Sequence, residues 1–173
     1  MKKFTAYLKI FSAVVLTLLF CGCGYTIGYL NHPQLKSVAV APVVNNTTSY
    51  NAAAQMRNLL CEAFMSDGSM KLEGLQEADC IVYAKITKVS YSEVGWSSND
   101  DDNFQPNEWR CSVNATFSVI LPGRAKPLIS NASVSGSAEF VSGPDIENSR
   151  INGLRQAMYD ASQKIVSRLT EAW

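Results

Sequence analysis

Cysteine is the residue type in this sequence with the greatest capacity for covalent chemistry, and one of the five cysteines has neighbours that predict a modification. Lys2 and Lys3 make the N-terminus positive, and the uncharged, largely apolar run 10–20 follows them. These eleven residues are too few to cross a bilayer, which needs about 20, but they match the apolar region of an export signal, about 7–15 residues. We therefore expect the chain to be exported and cleaved soon after this run.

The cleavage point is predicted at Cys23. Small Gly22 precedes Cys23, as the narrow subsite of a signal peptidase requires, whereas bulky Phe20 precedes Cys21. The segment resembles a bacterial lipobox, which implies acylation and cleavage at Cys23. Two or more acyl chains hold a protein on a membrane, because each buried CH₂ contributes about 0.8 kcal/mol. We predict a lipoprotein signal peptide at 1–22 and a single tethered domain at 23–173; the alternative is an ordinary signal peptide cut near a chance cysteine.

The other residues that could react or bind metal lack the partners that they need. Cys61, Cys80 and Cys111 each fall on the apolar phase of a segment, which favours small buried side chains, although one disulfide among them remains open. The single histidine, His32, has no cysteine at zinc-ligand spacing, and one histidine excludes a catalytic triad or an HExxH site. We expect no metal, no cofactor and no enzymatic activity.

The charges are distributed unevenly along the chain. Lys+Arg 15 balance Asp+Glu 15, but three bases lie in the first nine residues and every acid follows position 60. The exported domain is therefore mildly acidic, which argues against nucleic acid as a partner, because phosphate binding needs a basic face. The segment 95–107 holds Asp100, Asp101 and Asp102 but lacks the alternating acids, glycine and glutamate of an EF-hand, so we expect a solvated loop.

Two exposed bases are predicted on one tight turn. The turn Pro122–Pro127 carries Arg124 and Lys126. Bases in a turn increase solubility, and they can also contact an anion; both interpretations stay open at this point.

The first half of the domain predicts a strand, a helix and a second strand. The apolar run 35–44 predicts a buried strand, and a helix follows from an N-cap at Asn51 to a stop at Asp67–Gly68. Because such crossovers are right-handed and join parallel strands, we expect this strand to lie parallel to the next one, 80–92. The apolar phase of that next strand breaks near Thr87–Lys88, which predicts a β-bulge.

The second half predicts a meander and a long helix. Apolar and polar residues alternate in 109–121 and 128–140, the pattern of strands with one buried face. A helix over 145–172 rises about 42 Å, which matches a strand of thirteen residues at about 43 Å. We therefore predict an α+β fold, a four-stranded mixed sheet in the order β-α-β-β-β-α with two helices packed on one face. The apolar positions of the long helix are Ile151, Leu154, Met158, Ala161, Ile165 and Leu169.

Several short motifs, taken in their order and spacing, resemble the LptE family, the outer-membrane lipoproteins of lipopolysaccharide assembly. The resemblance covers essentially the whole mature chain. The residues that carry it are Gly22-Cys23-Gly24-Tyr25, Val38-Ala39-Val40-Ala41-Pro42, Asn45-Asn46-Thr47, Gly68, Ala78-Asp79-Cys80-Ile81-Val82, Glu147, Arg150, Ala157, Ile165 and Trp173.

This resemblance implies a partner, a ligand and a location. LptE proteins plug the β-barrel of LptD, help it fold and contact lipopolysaccharide, so the same partners are expected here. Gly24 is not the Asp that, by family-level sorting rules, retains a lipoprotein in the inner membrane, which implies the periplasmic side of the outer membrane. Lipid A phosphates need cations, ideally guanidinium groups, and the candidates are Arg124, Lys126 and, at the other end of the sheet, Arg110.

Two further interpretations concern the polar sheet face and a rival function. The Ser/Thr/Asn-rich outer face, sparse in charge, is suited to the polar lumen of a barrel, but it is equally suited to solvent. The run 38–47 is also similar to periplasmic lipoproteins of the LpoB type, which activate cell-wall synthases. That activity is the alternative function.

Overall fold

The computed structural model describes residues 34–98 and 104–170. The predicted signal peptide and Cys23 lie outside the described residues, as do the three aspartates at 100–102. The elements in chain order are β1 (Ser37–Val40), β2 (Val44–Asn45), α1 (Ala52–Asp67), β3 (Lys71–Leu72), β4 (Cys80–Ser98), β5 (Phe104–Ile120), β6 (Ile129–Val141) and α2 (Ile146–Thr170).

These elements form an α+β fold with one mixed sheet, and the predicted number of four strands was wrong. The sheet has six strands in the order β3-β1-β4-β5-β6, and β2 also pairs with β4. The two additional strands, β2 and β3, are two residues long, too short for any periodicity in the sequence. β1 runs parallel to β4, as the crossover argument predicted, and β4, β5 and β6 are antiparallel.

The hairpin between β4 and β5 is longer than expected, because much of the segment 95–107 is strand and not loop. β4 continues to Ser98 and β5 begins at Phe104. The hydrogen bonds between paired strands join main-chain groups, so they do not depend on side-chain polarity. A polar sequence can therefore extend a hairpin that apolar residues have begun. The bulge predicted near Thr87–Lys88 is confirmed, since the register shifts between Ile86 and Lys88.

Both helices pack on one face of the sheet around a single core. The inward side chains of β4 and β5 alternate as predicted, and Phe117, Val113 and Ile86 are almost fully buried. Met56 of α1 and Ser162 of α2 meet within this core, where the Ser162 Oγ lies 3.6 Å from the Met56 Sδ. No helix within 34–98 or 104–170 has the length and apolar character to cross a bilayer.

The two helices cover different lengths of the sheet. α1 has 16 residues and rises about 24 Å, whereas α2 has 25 residues and rises about 38 Å. Gly68 ends α1 with a left-handed backbone, and its N–H donates to the Phe64 carbonyl, as the predicted stop requires. Asn51 stands at the start but makes no side-chain cap. Ile151, predicted on the apolar side of α2, is 52% exposed, because α1 does not reach the part of the sheet beside it.

A reciprocal clamp at Asp79 fastens β1 to the start of β4. Its carboxylate accepts hydrogen bonds from the backbone N–H groups of Lys36 at 2.9 Å and Ser37 at 3.1 Å. Its own N–H donates to the Ser37 Oγ at 3.0 Å. The two backbone donors hold the pKa of Asp79 below its ordinary value of 3.8, because they stabilise the ionised carboxylate.

The outer edge of β6 is closed by side chains of α2. Asp160 accepts from the Ser137 N–H at 2.9 Å, Lys164 donates to the Ser135 carbonyl at 2.8 Å, and Arg168 Nη1 donates to the Ser133 carbonyl at 2.7 Å. The helix comes this close because Gly136 has no side chain: a Cβ there would overlap the Ala157 carbonyl oxygen and the Ala161 nitrogen. Three main-chain groups of this edge strand are therefore engaged within the molecule.

Candidate docking surface

The face of the sheet opposite the helices is open and polar. Across β4, β5 and β6 its side chains line up in rows such as Lys85–Thr116–Ser133 and Ser90–Ser112–Ser137. Among the described residues, the one ion pair on this face joins Arg110 to Glu139. The Arg110 Nε lies 3.0 Å from the Glu139 carboxylate. Lys85 and Lys88 are exposed on the same face, and hydroxyl and amide groups make up most of the rest, so the face offers mainly short, uncharged donors and acceptors to a polar partner.

The structure places the three predicted cations at two ends of this sheet. Arg124 and Lys126 are exposed on the turn after β5, where Gly123 adopts a positive φ of 81° and the Arg124 N–H donates to the Leu121 carbonyl. Arg110 lies ten residues before Ile120 on β5, about 33 Å away along an extended strand. Because Glu139 neutralises Arg110, the pair on the turn is the more available for an anion.

The end of the sheet away from that turn is apolar, and we call it the distal end. It comprises the last residues of β4 and β6, the start of α2 and the loop before α1. Its exposed large side chains are Tyr50, Val94, Trp96, Val141, Ile146 and Ile151. Apolar side chains gathered at one end of a domain are typical of contact surfaces. The distal end was not predicted from the sequence, because residues 95–107 were expected to form a solvated loop.

An aromatic cluster lies inside the distal end. Tyr91 and Phe140 pack edge to face with ring centroids 6.2 Å apart, and the Arg150 guanidinium lies 4.7 Å from the Tyr91 ring centroid. A cavity of about 190 Å³ adjoins these residues together with Trp109, whose buried indole Nε1 has no acceptor among the described residues. Glu147 accepts from Arg150 at 3.2 Å.

The cysteines carry no reactive site in the described part of the chain. Cys61, Cys80 and Cys111 are free thiols, and Cys80 and Cys111 are buried. Burial raises the pKa of Cys80 to about 11, and the neighbouring Asp79 carboxylate adds to that rise. Burial also raises the pKa of Cys111 and of Cys61. Within residues 34–98 and 104–170, no group of three His, Cys, Asp or Glu side chains could hold a metal ion.

Comparison with known protein families identifies the domain. The profile of the family described as LptE, lipopolysaccharide-assembly, matches residues 35–169. The chain belongs to the LptE family. For this LptE domain, the match includes every described strand and all but the last residue of α2. Among curated proteins, none matches the chain in sequence.

Solved structures with the same fold are distant in sequence. Protein XCC0632 of Xanthomonas campestris is 10% identical with a TM-score of 0.53, over 80% of this LptE chain and 86% of that chain. The hypothetical protein CT253 of Chlamydia trachomatis is 14% identical with a TM-score of 0.51, over 78% and 95%. Rare lipoprotein B of Shewanella oneidensis is 13% identical with a TM-score of 0.45, over 75% and 92%. At such identities the first two likenesses show the fold alone.

The motifs that suggested the LptE family have structural roles in the described part of the chain. Asp79 clamps β1 to β4, and Gly68 ends α1. Asn45 closes the turn after β2, where its Oδ1 accepts from the Thr47 N–H at 2.9 Å. Arg150 stacks on Tyr91. These residues organise the fold around the open face and the distal end.

Proposed function

We propose that this LptE-family chain is an outer-membrane lipoprotein, anchored through Cys23, that plugs an LptD-type β-barrel and assists its assembly. In this role it helps lipopolysaccharide to enter the outer leaflet. The observation that carries the proposal is the open sheet face, which is rich in hydroxyl and amide groups and holds its Arg110 charge in a pair with Glu139. Such a face suits the polar lumen of a barrel, where direct hydrogen bonds and trapped water replace bulk solvent.

The position of the chain's N-terminal side supports the same arrangement. β1 begins beside the start of β4, and β4 pairs there with the end of β5 that leads into the turn Pro122–Pro127. The eleven residues 24–34 join Cys23 to this end and reach at most about 40 Å. The tether that this proposal assigns to Cys23 is therefore joined to the domain at the end that carries Arg124 and Lys126.

The proposed contact between the open face and the barrel is tested by placing charged side chains on that face. Ser112→Glu with Ser135→Lys leaves the net charge unchanged but forces two charged groups against the lumen wall. We expect at least about tenfold less barrel to co-purify with the lipidated chain, because both charged groups must lose their hydration against the lumen wall and their mutual attraction repays only part of that cost. The matched control is Asn152→Glu with Gln156→Lys on the exposed side of α2. Equal recovery of the barrel with both double variants, at unchanged thermal stability, would refute this docking.

Contact with lipopolysaccharide is tested at the turn. Arg124→Asp with Lys126→Asp should weaken lipopolysaccharide binding without unfolding the domain, because both side chains are exposed and the turn depends on Gly123. The control is Arg57→Asp with Arg155→Asp, which reverses two exposed bases on the helices. If binding falls equally in both, the effect is one of net charge and the turn is not the contact. The family match favours this function over activation of a cell-wall synthase.

A further inference from the structure

Within residues 34–98 and 104–170, one edge of β4 lacks a partner strand over part of its length. Two short strands occupy the first part of this edge. Val38–Val40 of β1 pair with Cys80–Val82, and β2 pairs with Lys85 and Ile86. The last main-chain bond on this edge runs from the Asn46 N–H to the Ile86 carbonyl at 3.0 Å. Beyond it, the described residues place no strand against β4, although β4 continues to Ser98.

The register shows which main-chain groups this vacancy leaves free. On β5, the Asn114 carbonyl faces β4, where it accepts from the Thr87 hydroxyl. Lys88, Ser90 and Ser92, which pair with Asn114, Ser112 and Arg110, therefore direct their N–H and C=O groups to β5. The residues that alternate with them direct their N–H and C=O groups to the opposite edge of β4. The free edge consists of the main-chain groups of Val89, Tyr91 and Glu93.

A groove lies directly beside this free edge on the helix side of the sheet. It has a volume of about 590 Å³, and Val89 and Tyr91 form its floor. The turn and loop Thr47–Tyr50 form one wall. The other wall belongs to α2, which contributes apolar Ile151 and Leu154 and the ion pair between Glu147 and Arg150. The groove exists because α1 begins at Ala52 and runs back along the other half of the sheet, so this half has only α2 above it.

The dimensions of the groove favour one strand and exclude a second helical layer. A helix with side chains is about 10–12 Å wide, so a single turn occupies about 500 Å³ and would fill the space. A second copy of this chain pairing at the same edge would bring its own helix layer with it. A lone extended segment needs room only for alternate side chains, which the groove provides. Bulges after Ile86 and after Glu93 limit the regular run to about five residues.

We propose that the free edge of β4 at Val89–Glu93 binds an extended segment of the barrel partner, which adds a strand to the sheet. Main-chain hydrogen bonds to Val89, Tyr91 and Glu93 hold the segment, and its alternate side chains enter the groove, which offers them both apolar and polar contacts. This inference rests on the proposed function, which supplies the partner. It adds a second contact, separate from the open polar face, on the opposite side of the sheet.

The test places a photo-crosslinking amino acid in the full lipidated chain, in cells that contain the barrel. The crosslinking amino acid replaces one residue at a time. At Ile151 it samples the groove, and at Asn114 it samples the open face. At Glu62, which is exposed on α1, it serves as a control outside both surfaces. We expect crosslinks to the barrel from Ile151 and Asn114 but not from Glu62. Glu93→Pro removes one edge N–H and should reduce the Ile151 crosslink about fivefold, the effect of losing one main-chain hydrogen bond. Glu93→Ala keeps the N–H and should leave the Ile151 crosslink unchanged.

Hydrogen exchange provides a second readout that needs no variant. On binding the barrel, the peptide that spans 88–94 should gain three protected amides, those of Val89, Tyr91 and Glu93. No gain in protection overturns the inference. A barrel crosslink from Asn114 without one from Ile151 overturns it and leaves the proposed function intact, whereas no barrel crosslink from either position overturns both. An Ile151 adduct with a second copy, or with residues 24–33 of the same chain, also overturns the inference.

Discussion

The two long edges of this sheet are treated in opposite ways. At β6, the side chains of Asp160, Lys164 and Arg168 occupy three main-chain groups of the edge strand. At β4, the main-chain groups of Val89, Tyr91 and Glu93 meet no strand in the described residues. An unpaired edge invites association with another chain, so natural sheets usually cover or disrupt it. A fold that closes one edge and leaves a short run of the other open directs a partner to a single place.

The difference follows from the reach of the helices. α2 extends along the whole of β6, close enough for its side chains to bond to the strand backbone because Gly136 has no Cβ. α1 covers only the half of the sheet that holds β1 and β3. The β4 edge is open because β2 ends at Asn45 and the chain then turns away into α1, which is about 14 Å shorter than α2.

The largest effect should come from separating α2 from β6. Gly136→Ala places a methyl group against the Ala157 carbonyl and the Ala161 nitrogen, so the helix must move away. We expect the free energy of unfolding to fall by about 2 kcal/mol, in the range of overpacked cores, as measured by urea denaturation. Faster amide exchange at Ser137 should accompany it, because the Asp160 carboxylate moves out of reach.

The control for this change is a glycine with space around it. Gly143→Ala adds a methyl group that meets nothing within 4 Å, so its effect should stay within about 0.5 kcal/mol. Equal losses in the two variants would mean that close packing at Gly136 does not hold the protected edge.

A smaller effect is expected when the edge is opened without moving the helix. Asp160→Ala, Lys164→Ala and Arg168→Ala together remove the side chains that bond to β6. These groups are partly exposed, so the combined loss should be about 1 kcal/mol. The more telling readout is self-association: the triple variant should form dimers or larger species with rising concentration, measured by sedimentation. A variant that remains monomeric would contradict the protective role assigned to these three residues.

The smallest effect concerns the occupied part of the β4 edge, where Asp79 holds β1. Asp79→Ala should lower the melting temperature at neutral pH, because Lys36 and Ser37 lose the acceptor of their N–H groups. The pKa of Asp79 is lowered in the folded state, so its contribution is present above its unfolded pKa of about 3.8 and is lost as pH falls through the folded pKa. Melting curves of both proteins should therefore converge below about pH 3.8. A constant difference down to pH 2 would contradict this assignment.

Much of the fold could be predicted because its signals are local. Period-two alternation predicted β5 and β6, a break in that alternation predicted the bulge beside Lys88, and Asp67–Gly68 predicted the end of α1. β2 and β3 were missed because two residues carry no period. The extension of the β4–β5 hairpin was missed because polar residues can continue a ladder that apolar residues begin.

The candidate surfaces were less predictable than the elements. The turn with Arg124 and Lys126 lies where the sequence placed it, exposed at one end of the sheet, while its role as a lipopolysaccharide contact stays a prediction. The pairing of Arg110 with Glu139 joins two residues that are 29 positions apart in the chain, and the stacking of Arg150 on Tyr91 joins a helix to a strand. Contacts of this kind depend on register and packing, which no short window of sequence contains.

Residue types and their short-range order were sufficient to indicate an α+β domain with one polar sheet face, because alternation and turn residues act over a few neighbours. Export and tethering through Cys23 stay predictions. The closed edge at β6, the open edge at Val89–Glu93 and the apolar distal end were decided only by the packed structure. Each depends on how far a helix extends over strands that are distant in the chain, and helix reach relative to the sheet is set by the assembled core.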